Sequence, residues 1–169
     1  MNTLLVRHGT EEDIPLLARI ELGAAALFPP GTFPSEPAQS LPRSVLMNAI
    51  ESSSLWVAEL EGAGVVGFLA AREFGLCLHI EEMDVAPLHS RQGVGSRLLK
   101  RAIQAAKVRS LQHITLTTFT HLPWNAPFYS KHGFFPVQAH EQLPHLASVL
   151  RQEQDRGLER RVAMVKNAA

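Results

Sequence analysis

The sequence predicts one domain of the α/β (α+β) class, and three observations carry that expectation. Short apolar or alternating stretches and longer stretches with helical apolar spacing succeed one another along the chain. At 169 residues and 46% hydrophobic content, the chain fills one core and is short for two. Near its middle, IEEMDVAPLHSRQGVGSRLLK (Ile80 to Lys100) changes period within a few residues. A buried strand, Ile80 to Val85, breaks at Pro87, passes through a glycine-bearing turn at Arg91 to Gly95, and becomes a helix with Leu98, Leu99, Ala102, Ile103 and Ala106 on one face.

Taken in order, Leu4 to Arg7 reads as a short strand, and GTEEDIPLLARI starts a helix capped by Thr10 or Asp13. Pro15 favours Asp13, because proline is tolerated in a first turn. Ile14, Leu17, Ala18 and Leu22 follow with helical spacing and are expected to bury against a sheet. FPPGTFPSEP (Phe28 to Pro37) is too rich in proline for regular helix or central strand. Ser44 to Glu51 is a second helix, with Val45, Leu46, Ala49 and Ile50 as its apolar residues. Leu55 to Leu60 and Val65 to Ala71 are strands joined by EGAG, a hairpin signal that predicts antiparallel pairing.

Leu76 to Val85 is the next strand, and the helix beyond the glycine turn ends near Val108, with Arg97, Lys100, Arg101, Gln104 and Lys107 on a solvated face. His113 to Phe119 alternates as a strand, and HLPWNAP breaks it. Helix resumes with Phe128 and Tyr129 and stops at Gly133. Phe134 to Gln138 is a strand, Leu143 to Asp155 a helix closed by Gly157, and Arg160 to Val165 the last strand.

Charge narrows the partners. Sixteen basic residues balance sixteen acidic ones, so no global field draws the chain to nucleic acid or to an anionic membrane. No apolar run approaches the roughly 18 residues of a membrane span, and the N-terminus lacks signal-peptide anatomy. A cytoplasmic location is expected. Cys77, the only cysteine, forms no internal disulfide and reads as a small core residue. His89, His121, His132, His140 and His145 show no compact metal-binding spacing, and no catalytic metal is expected.

The strand, glycine turn and helix start together make an anion site. The first turn of a helix carries N–H groups without intrahelical partners, and the macrodipole adds partial positive charge there. Gly93 and Gly95 let backbone amides approach a pyrophosphate closely, while Arg91, Gln92 and Ser96 add side-chain donors. A P-loop would need Lys and then Ser or Thr after its second glycine, but Gly95 is followed by Ser96 and Arg97. A dinucleotide fingerprint needs three glycines, and two are present. By itself the turn serves equally as a plain reversal of the chain.

MDVAPLHSRQGVGSRLL resembles the acyl-CoA pyrophosphate loop of the GCN5-related N-acetyltransferases (GNAT), whose pattern is Arg or Gln, two residues, Gly, one residue, Gly or Ala. NAPFYSKHGF (Asn125 to Phe134) resembles the same family's second signature, an Asn and a Tyr ahead of Gly-Phe. The two occur in the family's order and at about its spacing. One departure stands at the first loop position, where Ser90 replaces the usual Arg or Gln. The resemblance covers nearly the whole chain. It implies a mixed, mostly antiparallel central sheet flanked by helices on both faces, as one acyltransferase domain over residues 1–169.

The resemblance also implies acetyl-CoA as co-substrate and an amine as acceptor. Its pantetheine arm would lie along the central strand against Met83, Asp84 and Val85, its phosphates on Arg91, Gln92, Gly93, Val94, Gly95 and Ser96, with Asn125 and Phe128 beside the arm. Asn125 serves equally as a helix cap. A period of two puts His79 and Glu81 on the face of Met83 and Val85, and Glu82 and Asp84 on the other. Glu81 is the expected general base, directly or through water, with His79 second; a bulge would swap the faces and promote Glu82. Tyr129, the only tyrosine, stands where the family has its thiolate-protonating tyrosine, and a tyrosine pKa of about 10 suits a proton donor. Phe28 and Phe33 fall where the family builds one wall of its acceptor site, and serve equally as aromatics tucked beneath a connection that crosses the surface.

Two functional classes stay open: direct acetyl transfer to a small-molecule or peptide amine, and a non-catalytic acyl-CoA-binding sensor or interaction module. An unrelated phosphate-binding enzyme is a third, which predicts no preference for CoA over other nucleotides. Neither the acceptor, the acyl length nor the oligomeric state is specified, although homodimers are common among such domains.

Overall fold

The computed structural model describes residues 2–34, 39–138 and 143–169. His140 and residues 35–38 of the proline-rich connection lie outside them. The elements are β1 (Leu4–His8), α1 (Ile14–Ala25), α2 (Arg43–Glu51), β2 (Leu55–Leu60), β3 (Gly64–Phe74), β4 (Cys77–Val85), α3 (Val94–Val108), β5 (His113–Phe119), α4 (Ala126–Lys131), β6 (Phe135–Val137), α5 (Pro144–Asp155) and β7 (Arg161–Asn167). The strands form a mixed sheet in the order β1-β2-β3-β4-β5-β7-β6. β1/β2, β2/β3, β5/β7 and β6/β7 pair antiparallel, and β4/β5 parallel. The chain forms two compact units, crossing between them after Pro29, Pro34, Arg72, His79 and Ala105.

In the first unit, Ile14, Leu17 and Ile20 of α1 and Leu46 and Ala49 of α2 pack with Leu55 and Val57 of β2 and Phe68 and Ala70 of β3. The expected burial of Leu22 is corrected: it is 44% exposed, and Ile20 and Ala24 are buried in its stead. Leu22 lies two residues past Ile20, about 200° around a helix of 3.6 residues per turn, so only one of them faces the sheet. The start of α1 falls as expected, with Asp13 at the N-cap and Pro15 in the first turn, but the expected side-chain cap is not made. Asp13 closes a 3-10 turn at Glu11–Asp13 and makes no side-chain cap to α1. Its carboxylate accepts two hydrogen bonds from Arg7, at 2.9 and 3.0 Å, and the Thr10 N–H at 2.8 Å. Arg7 thereby holds this carboxyl below its ordinary pKa.

The α3 helix seats on the sheet at Gly67 of β3. A Cβ there would stand 3.0 Å from the Asp84 carbonyl and 3.0 Å from Val94 Cγ1, with Leu98 Cδ1 at 3.3 Å. Absence of a side chain is what brings the first turn of α3 this close. Leu98, Leu99, Ala102 and Ala106 are fully buried along the expected face.

In the second unit, β4 pairs with β5 over Cys77–His79, while β5 pairs with β7 along its whole length. Cys77 packs with Leu143, Leu146, Ala163 and Val165 as a core residue, and burial pushes its thiol pKa up. Glu153 of α5 is tied to Arg161 of β7 at 3.0 Å and accepts the Thr117 hydroxyl. The Arg161 guanidinium lies 4.4 Å from the centroid of the Phe119 ring, which Phe33 meets edge-on at 6.1 Å. β6 is shorter than expected and carries Pro136, which suits a sheet edge because proline has no N–H to donate.

Candidate active site

The first unit carries the loop. β4 ends at Val85, a 3-10 turn covers Pro87–His89, and α3 starts at Val94. Gly93 has φ +83°, a conformation glycine adopts without strain, and a Cβ there would meet no atom within 4 Å. Arg91 adopts φ +60° without that freedom. Ser90, at the departing position, donates its hydroxyl to the Pro87 carbonyl at 2.9 Å, and Gln92 donates to the Leu88 carbonyl at 3.2 Å. Arg97, on the outer face of α3, donates to the Leu4 carbonyl at 3.0 Å. The arrangement presents an open backbone turn to solvent at the start of a four-turn helix.

The end of β4 also belongs to this unit. Glu81 is half-buried, and burial raises its pKa while the Arg72 charge partly offsets the rise. Glu82 and Asp84 share a face with Glu21 of α1, and one oxygen from each of the three carboxylates lies within 4.8 Å of the others. The expected alternation of β4 is thus kept. Burial, and then repulsion from Glu82, pushes Glu21 up to about 8; burial, and then Glu82 and Glu21, pushes Asp84 well above the ordinary range. Glu21 accepts the Leu41 N–H at 2.8 Å. Sequence reasoning missed this cluster because no local pattern joins α1 to β4.

The second unit carries His79, Asn125, Phe128 and Tyr129. Asn125 precedes α4 but makes no side-chain cap, and its buried Oδ1 has no hydrogen-bond partner among the described residues. Asn125 therefore makes no side-chain cap, and its amide oxygen is open to a donor beyond the described residues. Tyr129 is buried, with its ring edge-on to Phe128 at 5.2 Å and to Phe134 at 5.8 Å. His79 is 2% exposed, and its Nδ1 stands 2.9 Å from Thr115 Oγ1. A residue so enclosed is no open contact for an acceptor. Trp124 is 44% exposed and His121 also lies on the surface.

A family model described as the acetyltransferase (GNAT) family matches residues 24–134. Among solved structures, N-acetylglutamate synthase from Neisseria gonorrhoeae, complexed with coenzyme A and N-acetyl-glutamate, is similar at 20% identity and a TM-score of 0.72. The match covers 99% of this chain and 35% of that one, so the chain spans about a third of its length. The ribosomal-protein-S18-alanine N-acetyltransferase from Escherichia coli is similar at 14% identity, with 99% and 95% of the two chains covered and a TM-score of 0.71. An N-acetyltransferase from Thermoplasma acidophilum in complex with coenzyme A is similar at 16% identity, with 98% and 99% covered and a TM-score of 0.71. These likenesses are of fold. No helix of the described residues is long and apolar enough to cross a membrane.

Proposed function

The chain belongs to the acetyltransferase (GNAT) family, and from that premise we propose that it transfers an acetyl group from acetyl-CoA directly to a primary amine, on a small molecule or an exposed peptide. The observation that carries the reading is the passage from β4 through Gly93 into α3, an open backbone turn feeding a helix start. That geometry suits a pyrophosphate, which the first amides of α3 and the side chain of Arg91 would hold. Gln92 and Ser96 flank the same turn. Ser90 is bonded within the loop, so the phosphate contact that the departing position forgoes is left to the amides from Gly93 to Gly95.

The rest of the co-substrate fits the residues present. The β4/β5 ladder runs only as far as His79 and Thr115, which leaves the β4 backbone at Met83 and Val85 suited to an extended pantetheine arm. Asp84 would contribute through its backbone, since its carboxyl is engaged with Glu82 and Glu21. The orphaned Oδ1 of Asn125 suits an amide N–H of that arm, and Phe128 supplies an apolar neighbour.

In this mechanism Glu81 accepts the proton that the amine loses as its nitrogen bonds to the thioester carbonyl carbon. Burial favours that acceptance by raising the affinity of Glu81 for a proton. As the C–S bond breaks, Tyr129 gives its phenolic proton to the departing sulfur and recovers one from solvent. Cys77 takes no part: it is enclosed in an apolar core, so no acyl-enzyme is invoked.

The test is acetyl-CoA-dependent thiol release across a panel of amines, with mass spectrometry of the product. The expected result is release matched by N-acetylation of at least one amine, with Tyr129→Phe lowering kcat about 100-fold while acetyl-CoA binding is kept. Binding without turnover of any amine would leave only a binding module.

A further inference from the structure

We propose that Arg161 and Glu153 are positioning residues that clamp an aromatic wall for the acceptor, and that Phe33 of this wall determines specificity by favouring an amine carried next to an aromatic or apolar group. The proposal deepens the acetyltransferase reading above and rests on it.

Every residue of the clamp lies in the second compact unit, to which Pro30–Pro34 belongs together with β5, α5 and β7. Pro30 and Pro34 fix their own φ on either side of a turn at Gly31, where φ is +80°. Two contacts seat this short segment. The Phe33 ring meets Phe119, the last residue of β5, edge-on at 6.1 Å. Pro34 lies against the turn that follows α5, where a Cβ on Gly157 would stand 3.2 Å from Pro34 Cβ.

Arg161 in turn holds the Phe119 ring. Its guanidinium carbon stands 4.4 Å from the ring centroid. Glu153 sets the guanidinium plane, accepting from Nε at 3.0 Å and from Nη2 at 3.0 Å. Nη2 also donates to the Thr117 carbonyl at 3.2 Å, and the Thr117 hydroxyl donates to Glu153. Glu153 is 5% exposed. A buried ion pair gains little net stability over apolar packing, because desolvation offsets the attraction. What the bidentate geometry adds is a fixed flat cation for a ring to rest on.

The wall stands beside the reacting end of the co-substrate. Past Phe119 the chain runs through residues 120–124 to Asn125 and then Tyr129, the residues proposed for the pantetheine arm and the departing sulfur. Phe119 is buried, whereas Phe33 is half-buried and His121, edge-on to Phe119 at 5.8 Å, is exposed. Phe33 and His121 therefore keep surface for a bound molecule. A ring offers a large apolar face, which suits an apolar or aromatic neighbour of the amine.

Steady-state kinetics with phenethylamine and diaminobutane as acceptors, and with acetyl-CoA varied separately, test the wall. The wild type is expected to prefer phenethylamine in kcat/KM. Phe33→Ala should raise the KM for phenethylamine about tenfold with kcat and the KM for acetyl-CoA little changed, and Phe33→Tyr should restore it. Glu153→Gln combined with Arg161→Met removes the ion pair without stranding a buried charge. It should raise the same KM about tenfold, and adding Phe33→Ala should raise it little further, because the clamp acts through Phe33. Arg161→Lys, whose ammonium lacks the planar face, should show the same dependence on Phe33 and serves where the combined variant does not fold. No preference for phenethylamine, or a KM unmoved by Phe33→Ala, overturns the wall. Additive effects, or a rise in the KM for acetyl-CoA as well, overturn the positioning role and leave the ion pair a structural one. Acetyl-CoA bound with no amine turned over would instead sink the acetyltransferase reading, and the wall with it.

Discussion

At the residue scale, the account turns on two polar side chains whose surroundings set them apart. As the proposed base, Glu81 would act only when ionised, and burial raises its pKa. The acid limb of kcat/KM is therefore expected above the ordinary glutamate value of about 4.3, with activity lost as pH falls through the raised pKa. Glu81→Gln should remove that limb and lower kcat about 100-fold. Arg72→Gln should move the limb upward, because the Arg72 charge lowers the Glu81 pKa. A limb that stays put in Glu81→Gln would assign the base elsewhere. Asn125 supplies the second case. Its amide oxygen has no partner among the described residues, and an unpartnered buried oxygen costs about 1–3 kcal/mol, so Asn125→Ala should leave the melting temperature of the free protein unchanged or higher while weakening acetyl-CoA about tenfold. Calorimetry and thermal melts on the same samples read both.

At the element scale, the helix that follows the glycine turn is seated against β3 where a side chain is absent. A Cβ on Gly67 would stand 3.0 Å from both a backbone carbonyl and the Val94 side chain, so tight that its neighbours must give by a few tenths of an ångström. Gly67→Ala should displace the first turn of α3, weaken acetyl-CoA about tenfold and cost about 1–3 kcal/mol of stability. Affinity unchanged in a destabilised variant would separate α3 from the phosphate site.

Sequence patterns located most elements because local period and turn chemistry suffice for that. β5 was expected at His113 to Phe119 and is found there, since alternation and the LPWNAP break bound it on their own. β3 runs on to Phe74, past the expected Ala71, where Phe74 meets His79 of the next strand and His145 of the distant α5. Leu22 illustrates the opposite limit: a helix with apolar residues on more than one face does not reveal which face is covered until the sheet is placed.

At the scale of the whole molecule, what the sequence left unread is tertiary. The glycine turn, the strand before it and the helix after it were legible because each depends on residues close in sequence. The Glu21, Glu82 and Asp84 cluster and the hydrogen-bonded His79, Thr115 and His145 join segments far apart in sequence, and no local spacing announces them. The carboxylate cluster has a consequence for stability. Glu21 binds a proton more tightly in the folded protein, with its pKa raised from 4.5 to about 8, so the folded state holds more protons than the unfolded one between those values. Its contribution is present at pH below the ordinary glutamate value and is lost as pH rises through about 8. Melting temperature should fall across that window, and Glu21→Gln, which keeps an oxygen for the Leu41 N–H, should flatten the fall and raise the melting temperature at pH 8 by about 3 °C.

The claim on which all of this depends is that the turn at Gly93 and the start of α3 hold the pyrophosphate of acetyl-CoA. Calorimetric titration of the folded protein, freed of copurified CoA, with acetyl-CoA and separately with ATP and NAD tests it most directly. The account predicts one acetyl-CoA bound per chain, no comparable heat from ATP or NAD, and loss of binding in Gly93→Val, where a branched side chain must adopt φ +83°. Absence of acetyl-CoA binding, or equal binding of all three nucleotides, would contradict it.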